Sequence, residues 1–357
     1  MGGGALALAG AGATYFGLQS MGTMDEYNDS VAATRAALSQ APDMQDFIRD
    51  AALSANSHNT QPWRFQVRKN EISILPDLSR RIVVVDPDDH HLFTSLGCAA
   101  ENLRLAAEAR KRPGELRFVP AGDGAVLFAV GTGRNATSVL FDAIVKRQST
   151  RAEYDARPVS AADLRTLASA AAIPGVDLVL IADRRRLDQV RDLVVAGNSA
   201  QMADAAFVRE LKSWMRFTPR EALTPGDGLF SVLSGSPILP AWLAPHVFDV
   251  AFRAASENDK YARQLRSSAG VAVFVSQRSD KDHWVRAGRA CQRFALQATA
   301  LGIKVAFVNQ PVEVASLRPE LANLVGMPGR RPDLVMRFGF GPTLPFSARR
   351  PVAAVLA

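Results

Sequence analysis

The sequence predicts an α+β fold built from two related halves, and three observations carry that prediction. Helical runs and short alternating strands succeed one another along most of the 357 residues, a mixture that requires helices to cover sheets. One helix pattern recurs: Gly97, Leu103, Leu105, Ala107 and Ala109 are matched at the same spacing by Gly288, Phe294, Leu296, Ala298 and Ala300, each pair 191 positions apart. A hydrophobic content of 48% is enough to bury a sizeable core at a length that admits two domains.

The first residues, 1–29, open on an uncharged run of Gly, Ala and Leu about as long as the apolar core of a signal peptide and too short for a membrane span. The run is similar to the continuation of a twin-arginine export signal, which would need an Arg-Arg pair upstream of Met1. The expectation is an exported or inner-membrane-tethered protein, the alternative a cytoplasmic one. The first half then occupies 30–140. Its pattern predicts a helix over Val31–Leu38 broken at Pro42, and a second helix capped by Asp43 that buries Met44, Phe47, Ile48, Ala51 and Ala52. Phe65 and Val67 alternate as a strand, the chain turns over 68–71, and Ile72 and Ile74 form the return strand, stopped at Pro76. Val83 to Val85 read as a short buried strand, Asp88 or Asp89 as the cap of the long helix containing Gly97, and Leu116–Val119 and Ala125–Val130 as two more strands.

The second half, 141–357, repeats the order with a helical run from Asp163, strands at Val176–Ile181 and Val271–Val275, and the second copy of the glycine-bearing helix. Between them, about 216–266, the periodicity is lost among Pro219, Pro225, Pro237, Pro240 and Pro245. This stretch reads as a lid without strong secondary structure, and Trp214, Phe217, Phe230, Trp242 and Phe248 imply that it covers something apolar.

Composition excludes several function classes. The net charge is +7, but the basic residues are scattered in pairs and triplets among acids, and with 7% aromatic residues and no recognisable motif there is no nucleic-acid-binding face. Cys98 and Cys291 sit in helical patterns as small core residues, with no disulfide framework or metal site. The Asp86–His91 cluster suits helix capping, since adjacent residues at a helix start do not face one metal. The Gly131–Ala136 stretch imitates a dinucleotide fingerprint but lacks the following strand with its terminal acid.

Chemistry concentrates in four places. Asn56, Ser57, His58, Asn59, Thr60 and Gln61 set six hydrogen-bonding side chains in a row before Pro62 and the apolar anchor Trp63. Such a row suits a planar ligand with polar edges, and equally a helix-to-strand turn that satisfies its own backbone. Arg147, Gln148, Ser149, Thr150 and Arg151 offer two guanidinium forks and hydroxyls suited to a phosphate, or else a solvated helix end. Asn309 and Gln310 precede Pro311 at a strand end, and Arg349 and Arg350 follow the last strand.

The run SHNTQPWRF, with Asn59, Gln61, Pro62, Trp63 and Phe65, resembles the N-x-Q-P-W-x-F signature of the FMN-dependent nitroreductase superfamily, closest to its single-chain, Acg-like branch; Ala55-Asn56 replaces the usual Pro-Ser. KRQSTRAEYD is similar to the superfamily's basic phosphate motif. The resemblance implies a nitroreductase-like fold in which two homologous halves form a pseudo-dimer, and one FMN site assembled from both. By position, Arg147 and Ser149, with Gln148 between them, take the phosphate and ribityl chain, and Arg151 the pyrimidine edge. Asn56, Ser57, Asn59 and Gln61 belong to the flavin loop, Asn309 and Gln310 to the region of flavin N5, and Arg349 or Arg350 closes the phosphate site. The implied activity is hydride transfer from NAD(P)H through FMN to a small acceptor, with no metal and a monomer or weak dimer. The alternative is a protein that sequesters or stores flavin under the lid.

Overall fold

The computed structural model describes residues 21–36, 43–133, 138–240 and 242–357. The start of the N-terminal hydrophobic segment, the Pro42 break and Arg134–Ala136 lie outside them. Helix α1 (Met24–Thr34) opens on a capping box between Thr23 and Glu26, seven residues ahead of the helix expected from Val31. Asp43 caps α2 (Met44–Ala52), and Asp46 completes a second box. Strands β1 (Trp63–Arg68) and β2 (Glu71–Pro76) pair as an antiparallel hairpin. Val83–Val85 form a turn instead of the expected buried strand, and Val83 is 53% exposed. Of the two expected caps of α3 (His90–Glu108), Asp89 holds the N-cap position but its side chain makes no capping bond; the Asp86 carboxylate does so instead, accepting from the backbone N–H of His91 and of Leu92, both at 2.9 Å. Strands β3 (Gly114–Val119) and β4 (Ala125–Val130) complete the first sheet, ordered β1-β2-β4-β3.

The second sheet follows the same plan. After α4 (Val139–Ala143) and α5 (Ala161–Ala170) comes β5 (Val176–Ile181). A long excursion then holds α6 (Arg184–Ala203), α7 (Ala205–Trp214), β6 (Met215–Arg216), α8 (Pro219–Leu223), β7 (Leu229–Phe230), α9 (Ala244–Ala251) and α10 (Ala254–Arg266). Then follow β8 (Gly270–Ser276), α11 (Lys281–Ala300), β9 (Lys304–Phe307), α12 (Gln310–Glu313), α13 (Arg318–Leu324) and β10 (Pro332–Gly339). The sheet order is β5-β8-β10-β9. In both sheets the second strand leads into a central helix, α3 or α11, and those two helices pack on each other.

Two expectations are corrected. The insertion is not structureless: it spans residues 182–269 where the first half has a tight hairpin, and most of it is helical. Pro219 and Pro245 start helices within their first turns, where the missing N–H costs nothing, so the prolines that suggested a loop are punctuation. Trp242 is 72% exposed and takes no part in any inner face. The second half also does not keep its own tail. Phe65 N donates to Val355 O at 2.7 Å and Ala357 N to Phe65 O at 2.9 Å, so the C-terminus adds to the edge of the first sheet. At the start of the second half, Thr150 N donates to Val305 O at 2.8 Å at the edge of the second sheet.

Candidate functional site

The C-terminal tail and the segment around Thr150 both reach the end of α2, where Arg349 donates to Ala52 O and Arg147 to Leu53 O. His58, Asn59 and Gln61 adopt left-handed backbone, with φ of 49°, 55° and 51°, strain that a helix-to-strand turn needs only if it must present one particular face. Asn56 Oδ1 holds the loop by accepting from Gln61 N at 2.9 Å. Asn56, Ser57 and His58 thereby line a cavity of about 180 Å³ whose floor is Thr94, Ser95 and Cys98 of α3. Arg151, Asn309 and Gln310 form its facing wall. A second chamber of about 370 Å³ adjoins it; Arg151, Phe252 and Tyr261 border both, and Phe217 and Phe248 of the insertion close the far side. Chambers of this kind fall near the size of small-molecule sites, about 300–1,000 Å³.

Electrostatics divide the site. Arg151 lines both chambers, and no carboxylate pairs with it among the described residues. Burial, then repulsion from Arg151, pushes the His58 imidazole down to about 4, so it is neutral. Beside the cavity floor, Arg147 donates from Nη2 to Leu53 O at 2.6 Å, and Arg349 donates from Nε to Ala52 O at 3.0 Å and from Nη2 to Ser54 O at 3.2 Å. Arg35 joins them, donating to Val145 O at 3.1 Å. None of the three has a carboxylate partner among the described residues. Burial, then Arg147, lowers Arg35 to about 9; burial lowers Arg147 to about 10; burial, then Arg35 and Arg147, holds Arg349 well below its usual range. The helix-end carbonyls accept from Arg147 and Arg349 but supply no full negative charge, so the three cations keep an excess of positive charge and charge-assisted donors suited to an anion. Two buried polar atoms there, Arg147 Nε and Ser54 Oγ, have no hydrogen-bond partner, and neither has Gln310 Oε1 in the cavity wall.

Of the residues singled out from sequence, Asn56, Ser57, Arg151, Asn309 and Gln310 are brought to the cavity, and Arg147 and Arg349 to the cationic cluster. The others point elsewhere. Asn59 donates to Gly228 O and Ala348 O and accepts from Arg349 Nη1 at 2.8 Å; Gln61 donates to Gly226 O and accepts from Arg350 N. Both side chains therefore brace the insertion and the C-terminal tail. Gln148 uses both ends of its amide on the backbone of Leu344. Ser149 lies in the bridge to Val305 and borders neither chamber. Arg350 faces Asp77 at 3.8 Å, which leaves Arg349 as the C-terminal arginine of the cluster.

Several residues escaped the sequence. Arg35 lies 110 positions from its partner Val145. Arg337, fully buried, donates to Thr150 O at 3.1 Å and Ala152 O at 2.8 Å, and Gln264 of α10 donates to Arg151 O at 2.7 Å; together they fix the extended segment that carries Arg151. Tyr27 holds the tail that carries Arg349, donating to Phe346 O at 2.8 Å and accepting from Ala348 N at 3.1 Å. A single arginine or tyrosine in a helical run carries no local signal of such a role.

A cleft on the opposite side of the α3–α11 pair repeats the cavity's plan with different side chains. The positions 191 residues after His91, Thr94, Ser95 and Cys98 are Asp282, Val285, Arg286 and Arg289, and all four line that cleft. Ile173 and Pro174, between α5 and β5, stand where the Asn56–His58 loop stands between α2 and β1. Small polar groups are thus replaced by long cations that are already paired: Arg286 Nη2 with Asp282 at 2.6 Å, and Arg289 Nε with Glu101 at 2.9 Å.

Residues 144–341 match the family model described as the nitroreductase family. Two Mycobacterium tuberculosis relatives are provisionally named NAD(P)H nitroreductases. One, Rv3131, is 24% identical over 338 residues, covering 91% of this chain and 94% of its own. The other, acg, is 21% identical over 324 residues, covering 86% and 93%. Solved structures similar to this chain include the FMN-dependent nitroreductase NfnB of Mycobacterium smegmatis in complex with NADPH, with a TM-score of 0.37, 13% identity and coverage of 61% and 91%. A nitroreductase with bound FMN from Desulfitobacterium hafniense has a TM-score of 0.37, 16% identity and coverage of 60% and 95%. The match to the family model takes in more than half of the residues, including Arg147, Arg151, Asn309 and Gln310 of the site, and on that match this α+β chain belongs to the nitroreductase family.

Proposed function

We propose that the chain is an FMN-dependent oxidoreductase that takes hydride from NAD(P)H and passes it to a small acceptor. The observation that carries this reading is the cluster of Arg35, Arg147 and Arg349, three buried cations without a carboxylate among the described residues, set against a cavity bordered by Arg151, which no described carboxylate pairs. FMN fits that arrangement. Its phosphate bears about −1.5 to −2 charges at neutral pH and would take Arg147 Nε and Ser54 Oγ, both now without a partner. When bound, FMN supplies a two-electron carrier that exchanges hydride at N5 of its ring.

The chain's own residues supply the rest. Arg151 would hold the flavin ring and supply positive charge to offset the negative charge that reduction brings, and its burial beside Tyr261 and Tyr154 would keep water from screening it. Asn309, whose Oδ1 accepts from Val335 N at 2.8 Å, fixes the turn at the cavity wall. The insertion excludes bulk water but leaves the chamber beside Arg151 open, room that a nicotinamide requires. A sealed flavin store is therefore not favoured.

The same reading takes the chain as a fused pair of nitroreductase-like halves, a pseudo-dimer supported by the matching strand orders and by the two clefts flanking α3 and α11. The test is to load the apo-protein with FMN and mix it anaerobically with NADPH or NADH in a stopped-flow instrument. Rapid bleaching of the flavin, followed by reoxidation with a quinone or nitro compound, is expected. Bound flavin that neither nicotinamide reduces would overturn the reductase reading in favour of storage.

A further inference from the structure

A carboxyl group stands in the cavity wall where no contact with a cofactor is required of it. Glu313 lies three residues after Gln310 on α12, so the two share a helix face, and both line the cavity. Its Oε2 accepts from Gln201 Nε2 of α6 at 2.6 Å, and its Oε1 stands 3.6 Å from His91 Nε2 of α3. The charged groups facing it are unbalanced. Asp86, ahead of α3, opposes ionisation; Arg318 of α13 favours it, and the Gln201 hydrogen bond adds to that. Tyr261 of α10 lies within electrostatic reach and keeps its proton, pushed up to about 12. Burial, the largest effect, decides: the Glu313 carboxyl rises from 4.5 to about 7, while burial, then His90 and Arg331, holds His91 well below its usual range and neutral. Among the described residues no lysine or arginine forms an ion pair with Glu313, and the cavity is also lined by Phe207, Leu211, Leu229 and Leu334.

We propose that Glu313 is the proton donor to the acceptor, and that the cavity accordingly admits neutral enones with an apolar body. This rests on the flavin reading above. The hydride that originates on NAD(P)H arrives at the carbon end of the conjugated system, whose π bond breaks and shifts its electron pair to the carbonyl oxygen. The O–H bond of Glu313 breaks and a new O–H bond forms on that oxygen. Glu313 is left as a carboxylate, held by Gln201, and regains a proton from water entering the chamber. One NAD(P)H and one proton are consumed for each acceptor reduced by two electrons. The apolar wall takes the body of the acceptor, and the protonated carboxyl rewards a hydrogen-bond acceptor at its edge.

The test uses the FMN-loaded protein and its Glu313→Gln variant, with flavin content as the check on folding. Acetophenone, an aromatic ketone that is inert without a reductant, is titrated calorimetrically into the oxidised protein between pH 5.5 and 8.5. Wild-type affinity is expected to be constant below about pH 7 and to fall roughly tenfold per unit above it, as the donor proton is lost. In Glu313→Gln, whose amide donates at every pH, affinity is expected to be flat. In single turnovers, oxidation of the reduced protein by 2-cyclohexenone should slow by about 10²–10⁴-fold in the variant, the usual worth of a positioned acid. Acetophenone binding that does not depend on pH in the wild type, or the same profile in Glu313→Gln, overturns the proposal. The two failures are separable: a chain that cannot be loaded with FMN defeats the flavin reading and this inference with it. A chain that is loaded and reduced by NADPH, but gives identical profiles with and without Glu313, defeats this inference alone.

Discussion

Gly97 and Gly288 are images of each other across the contact of α3 and α11. A Cβ on Gly97 would stand 2.0 Å from the carbonyl oxygen of Val285, and a Cβ on Gly288 would stand 1.9 Å from that of Thr94. Thr94 precedes Gly97 by the same three residues by which Val285 precedes Gly288, so the contact is reciprocal, the relation found across a two-fold interface. Neither helix can accept a side chain at its crossing point. Gly97→Ala or Gly288→Ala should each lower stability by about 2–3 kcal/mol, the cost of overpacking against backbone that cannot rotate away. The double variant should lose less than the two losses combined, because the first methyl already separates the helices. Urea unfolding of the three variants measures this, and a Gly97→Ala protein as stable as its parent would contradict the close crossing.

The cationic cluster makes a second prediction. Arg35 and Arg147 have folded pKa values of about 9 and 10, below the ordinary 12.5 of arginine. A base with a depressed folded pKa costs stability while it is charged in the fold, so at neutral pH the full cost is present, and it eases only as pH rises through the folded value. An anion offsets it. Inorganic phosphate should raise the melting temperature of the apo-protein, and Arg35→Gln should shrink that rise.

Loss of any one of these arginines should also discriminate between flavins. Arg147→Ala should weaken FMN binding by about 1.5–3 kcal/mol, the cost of a charged hydrogen bond, or roughly tenfold to more than a hundredfold. Arg349→Ala should act in the same direction. Riboflavin, which lacks the phosphate, should be affected much less. Equal losses for both ligands would show that the cluster does not hold the phosphate.

What the sequence revealed and what it hid have physical causes. Strands β5 and β8 and the helices α3 and α11 were legible because periodicity and a fixed spacing are local signals. Val83–Val85 were misread because three β-branched residues in a row are compatible with a strand or a turn, and length cannot arbitrate at three. The polar row of the signature loop announced a site but not a direction: left-handed backbone at Asn59 and Gln61 turns those side chains onto Gly226, Gly228 and the tail. Asn56 and Ser57 keep the cavity. Arg35 was invisible because only the fold brings it beside Arg147, and Glu313 because a lone glutamate after a proline reads as a helix start.

The second cleft predicts the stoichiometry. Arg286 and Arg289 stand there in place of Ser95 and Cys98, and their ion pairs to Asp282 and Glu101 would have to break to admit a planar ring. Glu101 is fully buried and held ionised, at about 2, with Arg104, Arg289 and Arg293 outweighing its burial. Stripping one of its partners would leave a buried charge short of compensation. Protein loaded with excess FMN and desalted should therefore retain one flavin per chain, read from the absorbance ratio. A ratio near two would mean that the second cleft still binds.

The insertion supplies an aromatic cover to the second chamber. Phe252 borders both chambers and stacks on Phe248 at 4.4 Å with an interplanar angle of 18°, while Phe248 meets Phe217 edge-on at 6.1 Å. The base of the insertion is fastened separately. Asp227 pairs with Arg216 at 2.6 Å and with Arg80, and Gly228 N donates to Asn59 O at 3.2 Å. Removing residues 218–258 would cut into α10, whose Gln264 holds the backbone of Arg151, so a deletion would disturb the site as well as the cover. Phe252→Ala removes the stack, worth about 0.5–1.5 kcal/mol beyond the area that the ring buries, while keeping α10 whole. If opening of this aromatic cover limits entry, flavin reduction by NADPH should accelerate roughly two- to tenfold, and bulky nitroaromatics should gain more than small quinones. Because Phe252 also borders the first cavity, FMN affinity is measured alongside and the rates are compared at equal flavin content. Reduction no faster in Phe252→Ala than in the wild type, at equal flavin content, would show that the insertion does not gate the chamber and that entry is already open past Phe252.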